Sequence, residues 1–245
     1  MVAVRYLTRL QESYNGTFCN LPVTQRDEIS TPVTPPEGPE GTRARDRISI
    51  ADANSSPRGL TRFPSSFAGG SAGMIGGSVC AVMSADDVLA VLALFRAARV
   101  DVWVGGGWGI DALVGRETRP HRDLDLMHRV EQEPTMMAAL AAAEFAQTLD
   151  WRPVRFAVTD PAGREIDLHP LTFAPDGSAV QASLEPDRPF AYPARCFVTG
   201  RIGGAVVPCL SAEQQVYFHQ GYEPKDRDRH DMAQLRAAFG IDTHF

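Results

Sequence analysis

The residues best suited to chemistry are Asp123 and Asp125, within the stretch His121-Arg122-Asp123-Leu124-Asp125-Leu126. In a strand, alternate side chains share a face, so Asp123 and Asp125 project together while Leu124 and Leu126 point the other way, toward a core. Burying either carboxylate without a partner would be very costly. Two acids aimed at one point suit a hard divalent cation, and Mg2+ is usually held by one or two carboxylates together with substrate phosphates. An edge strand with a wet acidic face would show the same pattern. The metal reading gains from a glycine-rich turn shortly upstream, and from a third carboxylate, Asp167, which lies between Ile166 and Leu168 in a later strand and faces away from both.

These residues need a scaffold to position them. Ser84-Ala85-Asp86-Asp87 reads as a helix start, with Ser84 as N-cap and acids in the first turn. Val88, Val91, Leu92 and Phe95 then share a helical face. Val100–Val104 is a short strand. Gly105-Gly106-Gly107-Trp108-Gly109 follows it and opens a short helix, where close backbone approach and N-terminal N–H groups favour phosphate. A tight packing turn would look alike, with Trp108 in the core. The stretch is neither a dinucleotide fingerprint nor a P-loop. Arg116, Arg119, His121 and Arg122 lie on the polar loop leading to the acidic strand, where cations beside a phosphate site could hold a triphosphate tail. Downstream, the sequence predicts a helix over Glu133–Phe145 and strands over Val154–Thr159 and Arg164–Leu168. Mixed loop and short strand follow over 170–208. Ser211 caps a helix to about His219, Lys225–His230 reads as a charged connection, and a last helix over Asp231–Phe239 stops at Gly240. Tyr217, Phe218 and Tyr222 read as core, and Asp231 as either a helix cap or the partner of a basic residue.

The 245-residue chain is 44% hydrophobic, with a net charge of −6. No long basic run supports tight nucleic-acid binding, which relies on Lys and Arg neutralising phosphates. No apolar stretch is long enough for a membrane helix. Cys19, Cys80, Cys196 and Cys209 are too scattered for a disulfide framework and form no C-x-x-C zinc motif. Met1–Tyr14 lacks the apolar segment of a signal peptide, so a cytoplasmic location is expected. Residues 1–82 are rich in Pro, Gly and Ser and are expected to be a disordered extension.

Gly106-Gly107-Trp108-Gly109-Ile110-Asp111, His121-Arg122-Asp123-Leu124-Asp125 and Ile166-Asp167-Leu168-His169-Pro170 together resemble the antibiotic nucleotidyltransferases of the polymerase-β-like superfamily. The similarity extends to Asp150-Trp151-Arg152-Pro153, Asp176-Gly177-Ser178, Pro208-Cys209-Leu210-Ser211 and Phe218-His219-Gln220-Gly221-Tyr222, which point to lincosamide nucleotidyltransferases. Aminoglycoside 2''-nucleotidyltransferases share the first half. The resemblance runs from about Val102 to Leu235. It implies an α+β fold: a polymerase-β-like core over 83–208, a twisted mixed sheet flanked by helices, then a smaller, mostly helical part over 209–245.

It also implies ATP as donor, one or two Mg2+ ions, a small-molecule antibiotic as acceptor and, in many similar proteins, a homodimer. Asp123, Asp125 and Asp167 would hold metal, with Asp167 also placed to take the acceptor's proton. Gly106 and Gly107 would cradle phosphates, and Arg122, Arg119 and Lys225 would neutralise the departing pyrophosphate. His169 either contacts the acceptor or fills the strand end through hydrogen bonds. An aminoglycoside or protein-hydroxyl acceptor, or a non-catalytic nucleotide-binding module of regulatory or antitoxin type, are the competing readings. Asp176, Glu185 and Asp187 would matter to the first, since a polycation needs acids in its pocket.

Overall fold

The computed structural model describes residues 82–245. The extension expected over 1–82 therefore lies outside the described residues, Val82 apart, as do Cys19 and Cys80. Among the described residues, helix α1 (Ala85–Ala97) starts at Ser84, whose side chain accepts from the Asp87 N–H while Asp87 accepts from the Ser84 backbone. Its apolar face, Val88, Val91, Leu92 and Phe95, is buried. Strand β1 (Val102–Val104) leads into helix α2 (Gly106–Val114), then β2 (Asp123–Arg129), helix α3 (Glu133–Ala142), β3 (Ala146–Trp151), β4 (Arg155–Thr159) and β5 (Glu165–Phe173). Short β6 (Ala179–Gln181) and β7 (Phe190–Tyr192) precede β8 (Phe197–Ile202) and β9 (Ala205–Leu210), and helices α4 (Ala212–Phe218) and α5 (Asp226–Phe239) close the chain.

The strands form one mixed sheet in the order β3-β4-β5-β2-β1-β9-β8, with β6 and β7 added beyond β5. β2–β5 and β1–β9 are parallel, and the other pairs are antiparallel. Leu124, Leu126, Ile166 and Leu168 enter a core shared with α1 and α3. The opposite face carries a second cluster that includes Met127, Leu171 and Tyr192. α4 and α5 pack on α2 through Ile110, Val216, Met232 and Leu235. The expected mixed sheet with flanking helices is what forms.

Several boundaries differ from the sequence expectation. β3 was not foreseen, because as an edge strand with mostly exposed residues it shows no apolar alternation. α3 ends at Ala142 rather than Phe145, as alanines carry no stop signal. β5 runs on through Pro170 to Phe173. Pro170 sits between the β4 ladder, which ends at Leu168, and the β6 ladder, which begins at Thr172, so no strand on that side needs its missing N–H. The last helix begins at Asp226, not Asp231: the supposed charged connection is its first turn, where acids meet the positive helix end. β9 crosses the division expected at 208, and we place that division at Ser211, the N-cap of α4. No described helix is long and apolar enough to cross a membrane.

Phe95 is fully buried in the main core, remote from the acidic strands in sequence. Phe95→Ala should lower unfolding free energy by about 3–5 kcal/mol in urea titrations, with little change in the slope.

Candidate active site

The site lies at the adjoining ends of β2 and β5. Their register sets Asp125 opposite Asp167 and Met127 opposite His169. Leu124 and Leu126 hold one face in the core, so Asp123 and Asp125 turn to the other. Asp125, Asp167 and His169 are all buried, with candidate ligand atoms mutually within 4.8 Å. Asp123 is not part of that tight group and is only partly buried. Its carboxyl still feels the cluster: burial first, then Asp125, Asp167 and Glu165, push its pKa to about 7.

Asp125 is more buried than an unpartnered acid should be. His169 Nε2 lies 3.3 Å from its Oδ1, and the carboxylate packs against Gly106, where an added Cβ would overlap Asp125 Oδ2. Gly106 has φ +54°, a second reason for glycine there. Asp167 Oδ2 accepts from Arg155 Nη1 at 2.5 Å, while Oδ1 is buried without a hydrogen-bond partner. Burial raises the Asp167 pKa, with Arg155 and His169 opposing. The carboxylates of this group, carrying surplus negative charge and one orphaned oxygen, suit a divalent cation.

Arg155 was missed in the sequence. Its signal was a charge inside the apolar run Val154–Val158, on the same strand face as Ala157, which pairs with Asp167. It is buried, and its guanidinium lies over Trp151.

Of the surrounding basic residues, Arg119 is firmly held. Arg119 donates to Asp231 from Nε at 2.8 Å and Nη2 at 2.6 Å. Burial works against its charge, but the Asp231 bonds more than offset this and raise its pKa. Arg119 is thus clamped rather than presented to a ligand as expected, although it still lines the cavity. Asp231 is the clamp and not a helix cap, since it sits a full turn inside α5. Gly107 lets this arrangement close up, because a Cβ there would meet both His121 and Arg119. His121 is a structural residue: Nε2 lies 2.5 Å from Asp111 Oδ2 and the ring packs on buried Trp108. Arg122 and Lys225 are exposed and line the cavity, joined by Arg227, which the sequence reading passed over.

The cavity has a volume of about 630 Å3. Gly106, Gly107 and the basic residues form part of its wall. Val154, Phe190, Tyr192 and Phe218 form another part, with Gln181 and Gln215 among them. Phe218 and Tyr222 therefore face the cavity rather than serving only as core, whereas exposed Tyr217 does not line it. Phe190 and Tyr192 came from the stretch read as mixed loop and short strand, where nothing in the sequence marked them. Asp176, Glu185 and Asp187 do not line the cavity; Asp176 caps Ser178 and Glu185 faces Arg188.

The model of the aminoglycoside-2''-adenylyltransferase family matches residues 87–235. A lincosamide resistance protein of Staphylococcus haemolyticus is 29% identical over 147 residues, 60% of this chain and 91% of that protein. A 2''-aminoglycoside nucleotidyltransferase of Klebsiella pneumoniae is 30% identical over 142 residues, 54% of this chain and 72% of the relative. The crystal structure of the lincomycin-bound lincosamide antibiotic adenylyltransferase LnuA superposes with a TM-score of 0.60 at 27% identity, covering 64% of this chain and 99% of that one. The crystal structure of ANT(2'')-Ia with adenylyl-2''-tobramycin shares the fold, with a TM-score of 0.51 at 20% identity over 64% of this chain and 89% of that one.

The Arg119–Asp231 clamp should show in the unfolding of variants that break it or replace it by apolar side chains. Asp231→Ala should cost roughly 2 kcal/mol, below the usual figure for a fully buried pair because the Arg119 side chain is 22% exposed. Arg119→Met combined with Asp231→Leu should cost less than Asp231→Ala alone in urea unfolding.

Proposed function

The chain belongs to the aminoglycoside-2''-adenylyltransferase family and is a nucleotidyltransferase; on that premise we propose that it moves AMP from ATP to a hydroxyl of a lincosamide-type antibiotic and releases pyrophosphate. One observation carries the acceptor choice. The cavity sets Asp123 and Asp125 beside an aromatic and aliphatic wall of Val154, Phe190, Tyr192 and Phe218; its other acids, Asp226, Asp228 and Asp231, belong to α5 beside Lys225, and Asp176, Glu185 and Asp187 stay outside it. A lincosamide, with one amine and an apolar tail, suits such a wall; a polycationic aminoglycoside needs acids there.

In the proposed reaction the acceptor hydroxyl oxygen attacks the α-phosphorus. The bond from that phosphorus to the α–β bridging oxygen breaks, and pyrophosphate leaves with the electron pair. Positioning and charge neutralisation supply most of the rate in such transfers. Asp167 takes the hydroxyl proton at Oδ1, the oxygen that Arg155 does not hold. Arg155 keeps that carboxylate oriented. The backbone at Gly106 and Gly107, at the N-terminus of α2, faces the phosphates. Arg122, Lys225 and Arg227 neutralise the departing pyrophosphate, while Arg119, committed to Asp231, shapes that wall. Asp125 and Asp167, with Asp123 beside them, would hold Mg2+, which when bound offsets triphosphate charge.

Mass spectrometry after incubation with Mg-ATP and a panel of both drug classes should find an added AMP on lincosamides and none on aminoglycosides. Adenylylated aminoglycoside alone would overturn the acceptor assignment. Asp167→Asn should slow single-turnover transfer by about 10²–10⁴-fold while ATP still binds. An unchanged rate would remove Asp167 from the base role.

A further inference from the structure

Behind the acids runs a buried chain of hydrogen bonds that the proposed reaction does not use. Tyr192 Oη lies 2.6 Å from Gln181 Oε1. Gln181 Nε2 lies 2.9 Å from the Val154 carbonyl and 3.1 Å from His169 Nδ1. His169 Nε2 lies 3.3 Å from Asp125 Oδ1. Gln181, Tyr192, His169 and Asp125 are all buried.

The chain permits one assignment of hydrogens. The Val154 carbonyl can only accept, so the Gln181 amide must turn its NH2 toward it, which leaves Oε1 to accept from Tyr192. One Gln181 hydrogen goes to Val154, and the other points at His169 Nδ1. That nitrogen must therefore offer its lone pair. The ring hydrogen sits on Nε2 and is donated to Asp125.

We propose that Gln181, anchored by Tyr192 and the Val154 carbonyl, locks His169 in its Nε2–H tautomer, making His169 a positioning residue for Asp125 rather than a base or a ligand. In that tautomer no imidazole lone pair faces the acids, so His169 can neither take the acceptor's proton nor bind a cation through Nε2. It steadies Asp125 as outer partners of metal-binding carboxylates do. The functional consequence rests on the nucleotidyltransferase reading; the tautomer does not.

Long-range 1H–15N spectra of the full chain, with His169 signals identified by their loss in His169→Gln, read the tautomer directly. The expected result is a protonated Nε2 and an unprotonated Nδ1, with that preference lost in Gln181→Met. A protonated Nδ1 in the wild type overturns the proposal even if Gln181→Met fails to fold, as does an unchanged tautomer in a folded Gln181→Met. Activity supplies a separate arm. His169→Gln, which keeps a donor for Asp125, should hold kcat within about tenfold, while His169→Ala should lose roughly 10- to 100-fold with little change in KM for ATP. Equal loss in both would mean that the imidazole itself is required, against a positioning role. An Nε2–H tautomer in a protein that transfers nothing to any acceptor would sink the reaction and leave the lock standing.

Discussion

The site depends on the register of the parallel pair β2–β5. Leu124 and Leu126 on one strand, and Ile166 and Leu168 on the other, are buried together on one face. A slip of one residue would drive the carboxylates into that apolar layer and turn the leucines outward, so the core specifies the register strongly. The register in turn sets Asp125 against Asp167. The glycine turn hangs from the same strand, since the Gly105 N–H donates to the Asp125 carbonyl at 2.9 Å. One apolar layer thus positions the acids and the start of α2 at once.

Holding these acids together is electrostatically unfavourable, and the surrounding residues offset that only in part. Arg155 covers one oxygen of Asp167, and His169 reaches one oxygen of Asp125. Burial first, and after it the repulsion of neighbouring carboxylates, raises the pKa values of Asp123, Asp167 and Glu165. Hydrophobic packing elsewhere in the sheet keeps the cluster in place, and such stored repulsion is typical of sites that take up positive charge.

The remaining walls come from the later part of the chain. α5 carries Asp231, which fastens the loop bearing Arg119. α4 is tied to β7 where Gln214 Nε2 donates to the Ala191 carbonyl at 2.9 Å. Phe218 on α4 then meets Phe190 and Tyr192 on β7, with ring centroids 5.9 and 5.3 Å apart. The same β7 supplies the Tyr192 hydroxyl to Gln181, so the aromatic wall and the hydrogen-bonded chain behind the acids share a support.

What could be read from the chain alone was local and periodic. Alternation put Asp123 and Asp125 on the face opposite Leu124 and Leu126, cap chemistry placed the starts of α1 and α4, and Gly240 marked the end of α5. Motif spacing sufficed for the family and hence the fold. Contacts between residues far apart in sequence left no such trace. Arg155 on Asp167, Asp231 on Arg119 and Gln181 on His169 each join separate elements, and nothing in the spacing of a strand or helix records which distant side chain completes its hydrogen bonds. Only the packing of helices on the sheet decided that Arg119 would be clamped, that Phe218 would face the cavity and that Asp125 would be buried. Burial and pairing are properties of the assembled layers, whereas periodicity belongs to each segment by itself.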